Sequence, residues 1–393
     1  MRIAAKYLYL AGEDTPLMNG FVEVDDEGVI LKTGKVSDPL EEDLWIEGAV
    51  VPGFVNAHCH VELSHLKGKF TRLSGMAGFI DQINSLRDSS SREQKIRCLE
   101  NWMERMWDSG VSAMADISNC DDSFAVKASS PMYTRTFIEL FGSEPQDCGP
   151  VMEGAYRLLE KARRSGIDAS ITPHSCYTMS PQLLCAAAKA GLESGYLSYH
   201  SQESLQEEDL IRTGTGELAD NRRKYGMSMP PVRGTSSLEY FIDTVGGPAP
   251  GENAHLLLVH NVCLSEEDAK AALARFSNVY WAVCPMSNLF IHNALPPINL
   301  MRKLGLKIAV GTDSLSSNDD LDMVKEMYCL QSNFPEVSLG EILRWSTLNG
   351  ACFLGREKEL GSIEVGKKPG LVALCELDAE GRLTAASYSE RLV

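Results

Sequence analysis

Histidine is scarce in this chain, with eight in 393 residues. Basic residues are outnumbered, 37 Lys and Arg against 54 Asp and Glu, which leaves a net charge of -17. So acidic a surface repels phosphate backbones and anionic lipid, so neither nucleic acid nor a membrane is an expected partner. Cys-x-x-Cys pairs are missing, and the eleven cysteines are scattered and odd in number. That speaks against a disulfide framework and fits a reducing, cytoplasmic setting. No apolar run is long enough to span a bilayer. Met1 to Leu10 lacks the charged, apolar, small-residue layout of a secretion signal. What is present, 44% hydrophobic and 23% charged residues, is the composition of a soluble globular protein. The length exceeds one usual core but suits a barrel with a smaller satellite domain.

Scarcity makes the positions of the histidines informative. The run Val51-Pro-Gly-Phe-Val-Asn-Ala-His-Cys-His60 is apolar and ends in two histidines two positions apart. On a strand, His58 and His60 point the same way. Two neutral imidazoles on one face form half of a metal site. Before this run, residues 2–10, 20–24 and 29–32 read as short strands separated by turns. From Val50 onward come eight apolar runs, at 50–57, 111–118, 133–142, 169–172, 195–199, 254–259, 279–283 and 307–312. Helix-period segments lie between several of them, at 91–107, 151–164, 181–191 and 265–276, and a further helix is expected over 339–354. Ser180-Pro-Gln and Ser265-Glu-Glu-Asp read as helix starts.

This alternation predicts an α/β fold, a TIM (β/α)8 barrel over residues 50–357, whose chemistry sits at the C-terminal ends of the strands. His58, His60, His174, His200 and His260 all fall at such ends. Residues 1–49 and 358–393 are expected to pair into one small composite β-sandwich domain. Segment 203–250 is the least regular connection and a candidate lid or substrate loop.

Each candidate has a plain structural alternative. His200 and Glu203 suit a metal ligand and a proton shuttle, but Ser201-Gln-Glu-Ser204 also reads as an acidic helix start. Asp313 suits a ligand that also takes a proton from water; alternatively it caps a turn. His260 suits a group that polarises the leaving group or holds the water. His174, with no rival role, reads as a substrate contact. His65, His255 and His292 are expected to be structural; on a strand His255 faces the side opposite to His260. Two motifs are decoys. His60-Val-Glu62 resembles the His-x-Glu of small zinc deaminases, but its Pro-Cys-x-x-Cys partner is missing. Gly361-x-x-x-x-Gly366-Lys367 nearly matches a phosphate loop, but Lys368 and Pro369 follow where a hydroxyl residue and a helix are required.

With these residues in view, the chain resembles the amidohydrolase superfamily, in its cytosine-deaminase and chlorohydrolase-like branch, over nearly its whole length. The resemblance rests on Pro52-Gly-Phe-Val-Asn-Ala-His-Cys-His60, Thr172-Pro-His-Ser-Cys-Tyr-Thr178, His200-Ser-Gln-Glu203 and Leu258-Val-His-Asn-Val262. Cys284-Pro-Met-Ser-Asn288, Val310-Gly-Thr-Asp-Ser-Leu-Ser-Ser-Asn318 and Asp322-Met-x-x-Glu-Met327 follow in the family's order. It implies one divalent metal, usually zinc and sometimes iron, held by His58, His60, His200 and Asp313. Glu203 and His260 would move protons and orient water, and His174 would touch the substrate. The fourth strand offers no lysine to bridge two metals, which implies a mononuclear site. A homodimer would be typical of the family.

The chain departs from the family's pattern in having polar Ser201 and Gln202 where aliphatic residues are common, and Lys368-Pro-Gly-Leu-Val372 where Ala-Asp is common. Glu62-Leu-Ser-His-Leu-Lys-Gly68 and Thr213-Gly-Thr-Gly-Glu217 are similar to a subgroup that includes aminodeoxyfutalosine deaminases.

The implied chemistry is hydrolytic deamination of an aminated purine- or pyrimidine-type ring, with an adenine-type nucleoside such as aminodeoxyfutalosine as the leading substrate. Rival expectations are hydrolysis of a cyclic amide or a ring C–Cl bond on the same site, and a non-catalytic scaffold that kept the fold. Specificity is expected in the loops after the first five strands, which carry Glu62, Arg72, Asp116, Glu139 and Tyr177.

Overall fold

Parallel strands covered on both faces are apolar throughout, while strands with a wet face are not. Both kinds are present in the computed structural model, which describes residues 1–36, 44–246 and 253–393. In chain order they are β1 (Arg2–Leu8), β2 (Leu17–Val24), β3 (Ile30–Lys35), β4 (Leu44–Pro52), β5 (Phe54–Cys59), β6 (Val111–Ser118) and β7 (Tyr133–Leu140). Then come β8 (Asp168–Pro173), β9 (Tyr196–Ser201), β10 (His255–His260), β11 (Asn278–Val283), β12 (Lys307–Val310), β13 (Leu371–Cys375) and β14 (Tyr388–Arg391). β2 and β3 leave several residues exposed, whereas every residue of β5 and β6 is buried.

Strands β5 to β8 form one four-stranded parallel sheet and β9 to β12 another. The halves close on each other at two seams. At one, Thr312 N and Asp313 N donate to His58 O at 3.0 and 2.9 Å. At the other, His200 N donates to His174 O at 3.0 Å. Val55, Ala57, Ala113, Ala115, Phe137, Leu257 and Val259 fill the interior, and their strand neighbours Phe54, Met114, Ile138, Leu256 and Leu258 pack outward under the helices. The remaining strands make a sheet in the order β14-β13-β4-β1-β2-β3, so both termini contribute. The architecture is the expected barrel with a small β-sandwich domain from the two ends of the chain.

Three local readings differ. The apolar run from Val50 is two strands, not one. Val50 to Pro52 belongs to β4, which pairs with β1 and β13, and the barrel begins at Phe54. Gly53 makes the break, because a Cβ there would lie 2.0 Å from Ser112 Oγ and 2.5 Å from Pro369 O. The helix expected over 339–354 is two, Leu339–Ser346 and Leu348–Phe353. Thr347 between them has φ -135° and ψ -82°, and its hydroxyl donates to Leu343 O at 2.6 Å, a side-chain bond that competes with the helical ladder. Segment 203–250 is more regular than expected over its described residues, 203–246. It carries the helices Leu205–Thr213, Glu217–Lys224 and Ser237–Val245, and residues 247–250 lie outside the described residues. Ser180 and Ser265 cap helices as read, accepting from Leu183 N and Asp268 N. Among the described residues, no helix is long and apolar enough to cross a membrane.

Candidate active site

The first-strand motif works as a latch as well as a ligand source. Asn56 Oδ1 accepts from Thr312 N at 3.1 Å, and its Nδ2 donates to Thr312 Oγ1 at 2.8 Å. The register shifts between Asn56 and Cys59. This bulge lets Ala57 and His58, neighbours in sequence, both turn inward, while Cys59 joins the outer core. Gly311 is required opposite, since a Cβ there would meet His58 backbone atoms at 2.8 Å. Asp313 then returns in a left-handed conformation, φ 58°.

The result is a cluster of imidazoles. His60 Nε2 lies 3.1 Å from His58 Nε2 and 3.3 Å from His200 Nε2. Asp313 Oδ1 stands 3.8 Å from His58 Nε2 and 3.6 Å from His60 Nε2. Burial first, and the neighbouring imidazoles second, push the His58 and His200 rings well below the usual histidine range; burial also lowers His60. They are neutral, as metal ligands must be. Burial raises the Asp313 carboxyl, but His60, His260, His58 and the Ser287 hydroxyl outweigh it and hold the group below the usual carboxylate range. Ser287 and Ser317 both donate to Oδ2, at 2.6 and 2.8 Å, so Oδ1 is the atom turned to the imidazoles. A neutral ring nitrogen either donates or accepts, so three converging nitrogens do not all pair with one another. With a carboxylate oxygen beside them, they could hold a metal ion.

Beside the cluster, His260 Nε2 faces Glu203 Oε1 at 3.5 Å. Strand alternation alone would put His260 outside with Leu256 and Leu258. Its left-handed backbone, φ 74°, turns the ring into the mouth, and Asn288 Nδ2 holds Nδ1 at 3.2 Å. His255 is therefore separated from it by depth, not by face. It packs near Tyr196 and Tyr280 at the far end of the barrel, with Nδ1 on Phe353 O at 2.7 Å. Tyr177 Oη donates to Glu203 Oε2 at 2.7 Å. Burial, with the Asp313 charge adding to it, pushes the Glu203 carboxyl up to about 8. His174 stacks on His200, ring centroids 4.4 Å apart, and its Nδ1 is engaged by Ser175 and Thr178 at 2.7 and 3.0 Å.

The cavity above these groups is lined by His60, His174, His200, Glu203 and Asp313 together with Tyr177 and Glu139. Glu139 Oε1 is buried without a hydrogen-bond partner among the described residues, 3.4 Å from His200 Nδ1. Glu139, His174 and His200 form a second set of closely spaced donor atoms that shares His200 with the first. In that set Glu139 Oε2 already accepts from Asn119 and His174 Nδ1 is already bonded.

Three residues expected in the specificity loops stand elsewhere. Asp116 has the outward parity of Met114 and pairs with buried Lys127, while accepting from Val61 N at 2.8 Å. Arg72 pairs with Asp319 at 2.9 Å on the exposed rim. Glu62 accepts from Arg87 and from Asn119 N, below the cavity wall. One wall was not anticipated. Met76, Phe79, Ile80 and Ile83 of the helix Gly75–Leu86 line the cavity. Their spacing is the apolar stripe of an amphipathic helix, the signal that could have found them.

The amidohydrolase family profile matches residues 49–385, most of the chain. An adenosine deaminase of Helicobacter pylori is 25% identical over 385 residues, covering 94% of this chain and 90% of that protein. A 5-methylthioadenosine/S-adenosylhomocysteine deaminase of Moorella thermoacetica is 28% identical over 339 residues, covering 82% and 72%. Among solved structures, the aminofutalosine deaminase of Helicobacter pylori in complex with methylthio-coformycin superposes with a TM-score of 0.80 at 24% identity, over 98% of this chain and 93% of that one. Zinc-bound atrazine chlorohydrolase from Arthrobacter aurescens reaches a TM-score of 0.70 at 16% identity, over 94% and 86%. At these identities the structural likeness speaks for the fold. The extent of the family match settles the lineage: the chain is a member of the amidohydrolase family.

Proposed function

We propose that the chain is a zinc-dependent hydrolytic deaminase of an adenine-type nucleoside, with aminodeoxyfutalosine as the leading named substrate. The observation that carries this reading is the pairing of a neutral three-imidazole and Asp313 donor set with a buried, proton-holding Glu203 across the same cavity. The relatives that are nucleoside deaminases support it. His58, His60, His200 and Asp313 would hold the ion, with iron as the other metal that suits this set. When bound, it supplies the Lewis acidity that brings the pKa of a water down to about 7.

The chain's own groups divide the proton work. Asp313 Oδ1 accepts the proton of the attacking water, because Oδ2 is committed to Ser287 and Ser317. Glu203 keeps its proton at neutral pH and gives it to the ring nitrogen beside the amino-bearing carbon. Tyr177 fixes Oε2, so the proton is delivered from Oε1. His260 Nε2 orients the water from the other side. Once water has added, Asp313 passes its proton to the departing amine, ammonia leaves, and the hydroxyl proton of the adduct returns to Glu203 as the ring is left with a carbonyl. The apolar wall from Gly75–Leu86 suits a substituent beyond the sugar. Eleven free thiols suit a reducing compartment, so a cytoplasmic location belongs to the same proposal.

The test is ammonia release by zinc-loaded protein from adenosine, 5-methylthioadenosine and aminodeoxyfutalosine. Release is expected from at least one, lost after chelation, restored by zinc, and absent in Asp313→Ala. Bound zinc with no release from any nucleoside would move the reading to cyclic-amide or ring C–Cl hydrolysis. Failure to bind metal at all would leave a scaffold.

A further inference from the structure

The deaminase reading gives no part to the fully buried carboxylate of Glu207. Glu207 sits in the first turn of the helix Leu205–Thr213, where Ser204 already serves as the cap by accepting Glu207 N at 3.2 Å. The oxygens of Glu207 are engaged outside its own helix. Oε2 accepts from Glu203 N at 2.8 Å and Oε1 from Gln202 N at 3.2 Å. Oε1 also accepts from the Cys176 thiol at 3.3 Å. Gln202 is left-handed, φ 50°, a conformation that a non-glycine residue keeps only when its surroundings hold it. Cys176 adjoins Tyr177, whose hydroxyl holds the Glu203 side chain. One carboxylate therefore grips the backbone of Glu203 and the loop that grips its carboxyl.

We propose that Glu207 is a positioning residue for proton delivery, holding Glu203 where its proton reaches the substrate ring. This rests on the deaminase reading above. Burial raises the Glu207 carboxyl to about 8, but its bonding calls for the ionised form, since both oxygens accept from backbone N–H groups. It accepts from two backbone N–H groups at once, whereas an amide offers one oxygen and sets an NH2 against the other N–H. Misplacing an acid that acts in the transition state lowers kcat and spares binding.

The experiment compares zinc-loaded Glu207→Gln with wild type on the best substrate of the nucleoside panel. The expected result is a fall in kcat of about 10- to 100-fold, with KM within about twofold and zinc content unchanged. Introduced into Glu203→Gln, the same substitution lowers the residual rate no further, since groups that act as a unit are not additive. Glu208→Gln is the comparator. Glu208 is also buried, but its bonds run to Ser237 and Arg212, besides the Gln202 side chain, and to no backbone atom of Gln202 or Glu203. It should lose thermal stability and keep kcat. Wild-type kcat in Glu207→Gln, or an equal loss in both backgrounds, would overturn the inference while leaving the deaminase standing. A zinc-bound wild type that releases no ammonia would remove the deaminase reading and this inference with it.

Discussion

The Glu203 carboxyl illustrates how burial sets chemistry at the scale of one residue. Burial is the main cause of its rise to about 8, from the 4.5 of an ordinary glutamate. As the proposed acid it must carry a proton, so kcat should be level below pH 8 and fall above it. The same shift enters stability with a definite sign. A folded-state pKa above the unfolded value contributes stability that is complete below about 4.5 and lost as pH rises through about 8. Glu203→Gln removes both effects. Its kcat should drop by about two to four orders of magnitude, without an alkaline limb. Its melting temperature relative to wild type should climb between pH 5 and pH 9. A variant that keeps the alkaline limb would assign that limb to another group.

At the scale of elements, function depends on where strands begin and stop. Gly53 separates β4 from β5 where the chain passes from one sheet to the other, with Ser112 and Pro369 pressed against its Cα. Gly53→Val should cost about 1–3 kcal/mol or more by overpacking, read from urea unfolding. Gly154→Ala is the contrast, in the helix Cys148–Arg164, where the nearest atom to a new Cβ is Arg157 Nη2 at 3.9 Å. It should stabilise by about 0.4–1 kcal/mol. If both behave alike, the close approach at Gly53 is not what limits the site. The strand ends themselves were legible. Apolar runs that end in His or Asp placed His58, His60, His200 and Asp313 at one rim, because where a run stops is a local property of the chain; the inward turn of His58 needed the bulge between Asn56 and Cys59. The wall Gly75–Leu86 was legible only as an amphipathic helix; which surface it covers depends on Gln206, whose Oε1 accepts from Ala77 N at 2.9 Å.

At the scale of the whole molecule, the C-terminal strand is tied to the barrel at the end opposite to the site. Arg391 lies over the Trp107 ring, 3.5 Å from its centroid, and donates to Trp107 O at 2.8 Å and Val111 O at 2.9 Å. Burial lowers its pKa to about 10. Arg391→Ala strands two carbonyls and should cost about 2 kcal/mol, measured by urea unfolding. Zinc content and KM should stay as in wild type, since Val111 begins β6 and the site lies beyond its other end. A changed KM would show that the small domain reaches the site through the barrel.

What the sequence determined by itself was the strand–helix alternation, the composite β domain and the placement of histidines at the strand ends, since periodicity and residue chemistry are readable within a few positions. Tertiary structure decided the rest. Alternation sends His260 outward and only its left-handed backbone returns it. Asp116 looks like a site residue until Lys127 is found behind the sheet. Glu207 reads as an ordinary acidic first-turn residue until its carboxylate is seen on the Glu203 amide. These outcomes turn on bulges, positive φ values and bonds between segments distant in sequence, such as Asn56 to Thr312. Packing of the closed barrel sets those features, and no local pattern encodes them.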